Sequence, residues 1–134
     1  MNSKFSKYRR NQLSELQGQS KFQLVARLYT EMIRRLERCE YLYSNKLSFT
    51  SNDFFKGKSE SLGKVIQISQ YLIETTDSSA DEEISMLFIK MYSYIYQNTK
   101  LANNSLDSDA LRRAKAMAIK LPEVWEEIPQ DKRF

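Results

Sequence analysis

The sequence predicts an all-α protein, an antiparallel four-helix bundle with an N-terminal arm and a short C-terminal helical extension. Its 134 residues include three Gly and two Pro, too few for the tight turns that β-hairpins need. Apolar residues instead recur every three or four positions in four segments, which is the spacing of amphipathic helices. Short polar connections between these segments favour neighbouring antiparallel helices. With 41% hydrophobic and 28% charged residues, the chain has enough apolar material for one core.

The first helical segment follows a polar arm. We expect the arm over residues 1–19, the bundle over residues 20–128 and a flexible tail over residues 129–134. Ser20 is a candidate N-cap for the first helix. The apolar stripe that follows contains Val25, Leu28, Tyr29, Met32, Leu36, Cys39 and Tyr43, and it is widened by Leu24, Ile33 and Leu42. A stripe this wide predicts contacts with more than one neighbouring helix.

The second helix is predicted to begin at a cluster of N-cap candidates, Thr50 to Asp53. Two glycines interrupt its pattern, Gly57 and Gly63, and each costs about 1 kcal/mol of helix stability relative to alanine. Either they allow another part of the chain to come close, or they are tolerated on an exposed face. The predicted apolar face contains Phe55, Leu62, Val65, Ile66, Ser69, Leu72 and Ile73.

The third and fourth helices have clear start signals. Acidic residues at 81–83 fit the first turn of a helix, where the helix dipole favours them, and Asp107 or Ser108 can cap the fourth helix. Asn103 to Ser105 should separate the two helices, and Pro122 should end or kink the fourth or begin a new turn containing Val124, Trp125 and Ile128. The third stripe is Ile84, Leu87, Phe88, Met91, Tyr92, Ile95 and Tyr96, and the fourth is Leu111, Ala114, Ala118 and Leu121.

The composition argues against an enzyme. The chain has no histidine, which excludes the Ser-His-Asp and Cys-His nucleophiles and the His-containing zinc and di-iron sites. The consecutive carboxylates Asp81, Glu82 and Glu83 fan out over about 200° on a helix, whereas acid-base catalysis needs them to converge. No Gly-rich phosphate-binding loop is present. We therefore predict no catalytic residues, no metal and no cofactor.

Cys39 is the single cysteine of the chain, so it cannot form an internal disulfide. We expect it to be a small buried hydrophobic residue in a reduced, cytoplasmic protein. The first residues are not followed by an apolar stretch of signal-peptide length, and no apolar run approaches about 18 residues. The sequence therefore predicts neither export by such a signal nor membrane insertion.

Positive charge is concentrated in the first third of the chain. Residues 1–46 contain ten Lys or Arg and four Asp or Glu. One interpretation is a nucleic-acid-binding helical module, since such a surface attracts phosphates. The alternative is a solvated helix face, because Glu31 lies at supportive helical spacing from Arg34 and Arg35, and this alternative predicts no nucleic-acid partner. The arginines of the first interpretation are Arg9, Arg10, Arg34, Arg35 and Arg38.

Tyrosine is abundant, with eight residues in the chain. On a helix, Tyr92 and Tyr96 share one face, whereas Tyr94 points to another direction. Tyrosine combines a large apolar ring with a polar tip, which suits protein interfaces. Each of these residues could equally lie at the rim of the bundle core.

Several short motifs follow one another in a defined order. They are Tyr8-x-x-Asn11, the pair Leu28 and Tyr29, the segment 81–94 with Ile84, Met91, Tyr92 and Tyr94, the step from Ala102 to Asn103, and the late Trp125. Together they resemble the FliS family of flagellin chaperones over residues 8–127. The resemblance rests on the order and spacing of the motifs. In three places bulkier residues stand where the family has small ones, namely Gln19 to Lys21, Thr30 to Met32, and Asp81 with Glu82.

The resemblance implies a cytoplasmic export chaperone. Such a protein binds the C-terminal segment of flagellin in apolar surface grooves, prevents premature polymerisation and delivers its substrate to the flagellar type III export gate. Given the bulkier residues, a divergent flagellin or another export substrate is an alternative partner. The partner-binding residues that the resemblance implies are Tyr8, Asn11, Leu28, Tyr29, Tyr92 and Tyr94; an alternative role for Leu28 and Tyr29 is packing in the core.

Overall fold

The computed structural model describes residues 20–77 and 81–132. Within these ranges the secondary structure is entirely helical, so the predicted all-α class is confirmed. The predicted arm, residues 1–19, lies outside the described residues. The α-helices are α1 (Lys21–Ser44), α2 (Ser51–Thr75), α3 (Glu82–Ser105) and α4 (Ser108–Glu126), and 3-10 turns occur at Lys46–Ser48 and Gln130–Lys132.

Each helix begins at a side-chain cap. Ser20 forms a capping box with Gln23 at the start of α1, and Thr50 accepts a hydrogen bond from the backbone of α2. Asp81 and Asp107 do the same for α3 and α4. Such caps satisfy backbone N–H groups that have no partner within the helix, and each stabilises by about 1 kcal/mol. The helix starts predicted from the sequence are therefore confirmed.

The four helices form a closed ring. α1 packs against α2 and α4, and α3 packs against the same two helices. The start of α1 meets the end of α2, where the Lys21 ammonium donates to the Thr75 carbonyl at 2.9 Å. It also meets the end of α4, where the Trp125 indole donates to the Phe22 carbonyl at 3.1 Å. Neighbouring helices are thus antiparallel, and the outer surface between α1 and α2 is opposite the one between α3 and α4.

Trp125 lies at the centre of an aromatic cluster in the core and is fully buried. The ring of Phe22 stacks on it at 4.8 Å, and the rings of Tyr29 and Phe88 meet it edge-on at 5.8 and 5.4 Å. This packing joins α1, α3 and α4. Cys39 is also fully buried and free, which confirms its expected role as a small hydrophobic residue.

Two residues predicted to lie in the core, Phe55 and Leu87, are exposed instead, and in each case a neighbouring residue is buried. In α2 the buried ring belongs to Phe54, which packs against Tyr43 at 5.8 Å, while Phe55 is 44% exposed. In α3 Phe88 is buried and Leu87 is 47% exposed. Adjacent helical residues point about 100° apart, so where the buried face of a helix is narrow, one of two neighbouring apolar side chains faces outward.

Two predicted helix boundaries also differ. α3 continues through Asn103 and ends at Ser105, and the left-handed backbone of the next residue, Leu106 (φ 54°), terminates it. α4 continues through Pro122 to Glu126. Proline removes one backbone hydrogen bond from the last turns, but Trp125 and Ile128 remain buried beyond it. We attribute the persistence of this last turn to the burial of these two side chains.

The two glycines of α2 have different surroundings. A Cβ placed on Gly57 would lie 3.0 Å from Leu42 Cδ1, whereas a Cβ on Gly63 would have nothing within 4 Å. Gly57 therefore allows α1 to approach closely, and Gly63 is tolerated on an open surface.

Candidate functional site

An apolar stripe runs along the outer surface of α3. Leu87, Tyr94 and Leu101 occur at intervals of seven residues and are 47%, 37% and 44% exposed. Seven residues are almost two helical turns, so the three side chains share one face over roughly 21 Å. Met86, also exposed, widens one end of this stripe. Exposed apolar residues aligned in this way are typical of a surface that another molecule covers.

α4 extends the apolar surface. The Arg113 guanidinium donates to the Asn98 side-chain oxygen at 2.9 Å, which fixes the register of the antiparallel pair α3 and α4. Because the helices are antiparallel, Met117, one turn after Arg113 on α4, lies level with Tyr94, one turn before Asn98 on α3. The half-buried Met117 and Val124 pack against the core. We call the surface formed by Leu87, Tyr94, Leu101, Met117 and Val124 the α3/α4 face.

Charged side chains border this face. Near its end a shallow groove is lined by Ile84, Met86 and Leu87 together with the oppositely charged Glu83 and Lys90. Arg113 lies at the middle of the face, beside Asn98. An apolar strip with a charged rim is suited to an amphipathic segment, whose apolar side is buried while its polar side stays in water.

The residues implied by the resemblance occupy three kinds of position. Tyr94 lies on the α3/α4 face, and Leu28, Tyr29 and Tyr92 are buried in the core at 2%, 0% and 1% exposure. Tyr8 and Asn11 lie outside the described residues. The predicted divergence of Tyr94 from Tyr92 on the same helix is confirmed.

Tyr29 and Tyr92 are joined by a hydrogen bond between their hydroxyl groups. Their ring centroids are 6.1 Å apart, and Tyr92 also packs against Phe88 at 6.0 Å. Burial raises the pKa of both hydroxyls above that of an exposed tyrosine, so both stay protonated. In this conformation the two rings do not offer surface to a partner. They lie behind α3, on the side away from its exposed stripe.

Sequence reasoning missed part of this face. The sequence pattern predicts that Leu87 belongs to the core stripe, and the predicted site residues do not include Leu101, Met86 or Met117. The available signal was the seven-residue repeat of Leu87, Tyr94 and Leu101, offset from the Phe88, Tyr92 and Ile95 stripe. When a line of apolar residues lies outside the main apolar face of a helix, its side chains are expected to be exposed on the surface.

Neither a metal centre nor a membrane span is present in the part of the chain that the structure describes. No group of three or more Cys, Asp or Glu side chains there could hold a metal ion. No helix over the same residues has the length and apolar character needed to cross a bilayer.

Comparison with known proteins gives one clear match. The model of a protein family described as "Flagellar protein FliS" matches residues 2–132, nearly the whole chain. No curated protein matches the chain significantly.

Proposed function

The chain belongs to the FliS family of flagellar secretion chaperones, and from that premise we propose that it binds the C-terminal segment of a flagellin. Binding takes place in the cytoplasm, before the flagellin is exported. The family is one of chaperones rather than enzymes, and the proposed activity involves no covalent chemistry.

The α3/α4 face is the observation that carries this proposal. An amphipathic helix has apolar side chains at i, i+3, i+4 and i+7, so its stripe repeats at the same seven-residue interval as Leu87, Tyr94 and Leu101. Laid along this face, such a helix would bury its apolar side against theirs. An unassembled flagellin terminus would otherwise expose that side and self-associate.

The proposed roles of the predicted residues follow from their burial. Tyr94 contacts the flagellin segment directly, with its ring on the apolar side and its hydroxyl toward water. Leu28, Tyr29 and Tyr92 act from the core by fixing the position of α3. Tyr8 and Asn11 are proposed to contribute contacts from the N-terminal arm.

The contact must also be reversible. A flagellin segment that becomes ordered only on binding loses several kcal/mol of the interaction energy to that ordering. A largely apolar surface can offset this cost, and the complex can still dissociate when the substrate is transferred. We propose that transfer takes place at components of the flagellar export gate.

Isothermal titration calorimetry with a flagellin C-terminal peptide tests the proposal. We expect a dissociation constant below about 100 μM, near −5.5 kcal/mol, and little change when salt is raised, because apolar contacts are not screened. Weaker binding would contradict the assignment. Tighter binding of a single-stranded oligonucleotide, falling steeply with salt, would favour the nucleic-acid module instead.

A further inference from the structure

A second surface feature lies on the opposite side of the ring, between α1 and α2. Two neighbouring depressions there share Arg35 and Lys64 in their linings, and we treat them as one surface. We call it the basic trough. Its lining includes Arg27, Glu31, Arg34 and Arg35 from α1, and Gly63 and Lys64 from α2.

Small side chains keep the basic trough open. Gly63 has no Cβ, and a Cβ placed there would have nothing within 4 Å. Thr30 and Ser59 are the other short side chains of the lining, and they come from facing helices. The space beside Gly63 can therefore accept a small group of a second chain.

The charge of the basic trough is positive. Arg27, Arg34, Arg35 and Lys64 face only two carboxylates among the described lining residues. One of these, Glu31, is already engaged: its two oxygens accept hydrogen bonds from Arg34 at 2.8 Å and Arg35 at 2.9 Å. Partial burial opposes ionisation of Glu31, but the Arg35 hydrogen bond and the Arg34 charge outweigh it and lower the pKa.

Glu31 has a second effect, which is to order the two guanidinium groups. Each guanidinium uses one of its five N–H donors in its hydrogen bond to Glu31. Because both side chains are already held, they lose less conformational entropy when a further carboxylate binds. Pairs of this kind are also favoured by the match between the guanidinium and carboxylate planes.

From this geometry we propose that the basic trough is a docking surface for an acidic segment of a protein partner. An acidic peptide fits it better than a nucleic acid for two reasons. None of the described lining residues is aromatic, so the trough lacks the platforms on which bases stack. Glu60 would repel a continuous phosphate backbone, whereas a peptide of mixed charge can place a lysine beside it.

The basic trough and the α3/α4 face lie on opposite sides of the bundle, so both can be occupied at once. The acidic partner is therefore distinct from the flagellin segment, and its binding does not depend on the proposed flagellin site. A chaperone with two independent surfaces can hold its substrate while another protein contacts the complex.

Fluorescence anisotropy with two labelled probes tests this proposal on the full chain. One probe is a Glu-rich helical peptide of about 16 residues, roughly 24 Å long, and the other is a single-stranded oligonucleotide of equal charge. The trough variant is Arg27→Glu with Lys64→Glu. The matched control, Lys100→Glu with Arg112→Glu, changes the net charge equally at exposed residues of α3 and α4, away from the trough.

We expect the peptide to bind and its affinity to fall by about tenfold or more in the trough variant, and by less than about threefold in the control. Thermal melting by circular dichroism checks that both variants fold. The proposal would be overturned by the absence of peptide binding, by equal losses in the two variants, or by tighter binding of the oligonucleotide. Loss of flagellin-peptide binding in the trough variant would also overturn it, since the two surfaces would then be one site.

Discussion

The hydroxyl groups of Tyr29 and Tyr92 hydrogen-bond to each other in the core, although 63 residues separate them in the chain. Tyr29 belongs to α1 and Tyr92 to α3, the two helices that face each other across the ring rather than lying side by side. One hydroxyl donates and the other accepts, in a place where both residues are buried. The pair therefore sets the separation of α1 and α3, and through it the position of the α3/α4 face.

Replacing one tyrosine of this pair by phenylalanine should destabilise the protein by more than the net contribution of one hydrogen bond. Tyr29→Phe or Tyr92→Phe leaves the other hydroxyl buried without its partner, and we expect the free energy of unfolding to fall by about 1 to 3 kcal/mol in each case. The double variant removes both polar groups and should lose clearly less than the sum of the two. Urea denaturation of the four proteins measures this coupling.

If the losses in unfolding free energy of the two single variants simply add up to that of the double variant, a direct bond between the two hydroxyls is contradicted. The m-values should remain equal across the four proteins, so that the comparison reports stability rather than a change in the unfolded state.

Alkaline pH should destabilise the protein, partly through Cys39. Burial raises the pKa of its thiol from 9.0 to about 12. The folded state therefore keeps a proton that the unfolded chain releases above about pH 9. The contribution of this thiol to the free energy of unfolding is fully present below pH 9. It is lost as the pH rises toward 12, by up to about 1.4 kcal/mol per pH unit for one such group. The pKa of Tyr43 is raised to about 12, also by burial first, and acts in the same direction.

The variant Cys39→Ala isolates the thiol. Tyrosine has an ordinary pKa of 10.0, so between about pH 9 and 10 Cys39 should contribute more to the decline than any single tyrosine. Urea titrations at several pH values should show that the free energy of unfolding falls less steeply with pH in the variant. The smaller alanine side chain also lowers the stability, but by the same amount at every pH. An unchanged slope would show that the thiol does not titrate differently in the two states.

The two glycines of α2 should respond in opposite ways to alanine. Gly63→Ala gains helix propensity without a clash and should stabilise the protein by about 0.5 to 1 kcal/mol. Gly57→Ala has the same propensity gain, but its new methyl group would press on the buried Leu42, and overpacking typically costs about 1 to 3 kcal/mol. Thermal melts should therefore rise for Gly63→Ala and fall for Gly57→Ala; equal shifts would disprove the close contact.

The helices, their caps and most of the core could be predicted from the sequence because they depend on local signals. Ser20, Thr50 and Asp107 stand just before apolar stripes, and a side-chain acceptor there satisfies the first N–H groups whatever the tertiary structure. The end of α4 could not be predicted in this way. Pro122 is a local stop signal, and it is overridden by the burial of Trp125, which depends on Phe22 more than 100 residues away.

The candidate site was harder to predict, because exposure depends on which neighbours a helix has. Leu87 and Phe88 are equally apolar, and only the packing of α3 between α2 and α4 decides which of them is buried. The basic trough has the same origin. The spacing of Glu31, Arg34 and Arg35 predicted ion pairs within α1, which are observed, but the contribution of Lys64 from α2 requires the fold.

The most direct test of the account is flagellin-peptide binding by variants of the α3/α4 face. Leu87→Lys with Leu101→Lys introduces two charges into the exposed stripe. The matched control, Leu47→Lys with Ile119→Lys, makes the same chemical change at other exposed apolar positions. Full burial of a leucine side chain contributes about 1.5 to 3 kcal/mol, so losing two half-exposed ones at an interface should be readily measured.

Isothermal titration calorimetry with the flagellin C-terminal peptide should show at least about tenfold weaker binding to the stripe variant, or about 1.4 kcal/mol. The control should bind within about twofold of the original chain. Full affinity in the stripe variant, or equal losses in the two variants, would contradict the proposal that flagellin lies along α3 and α4.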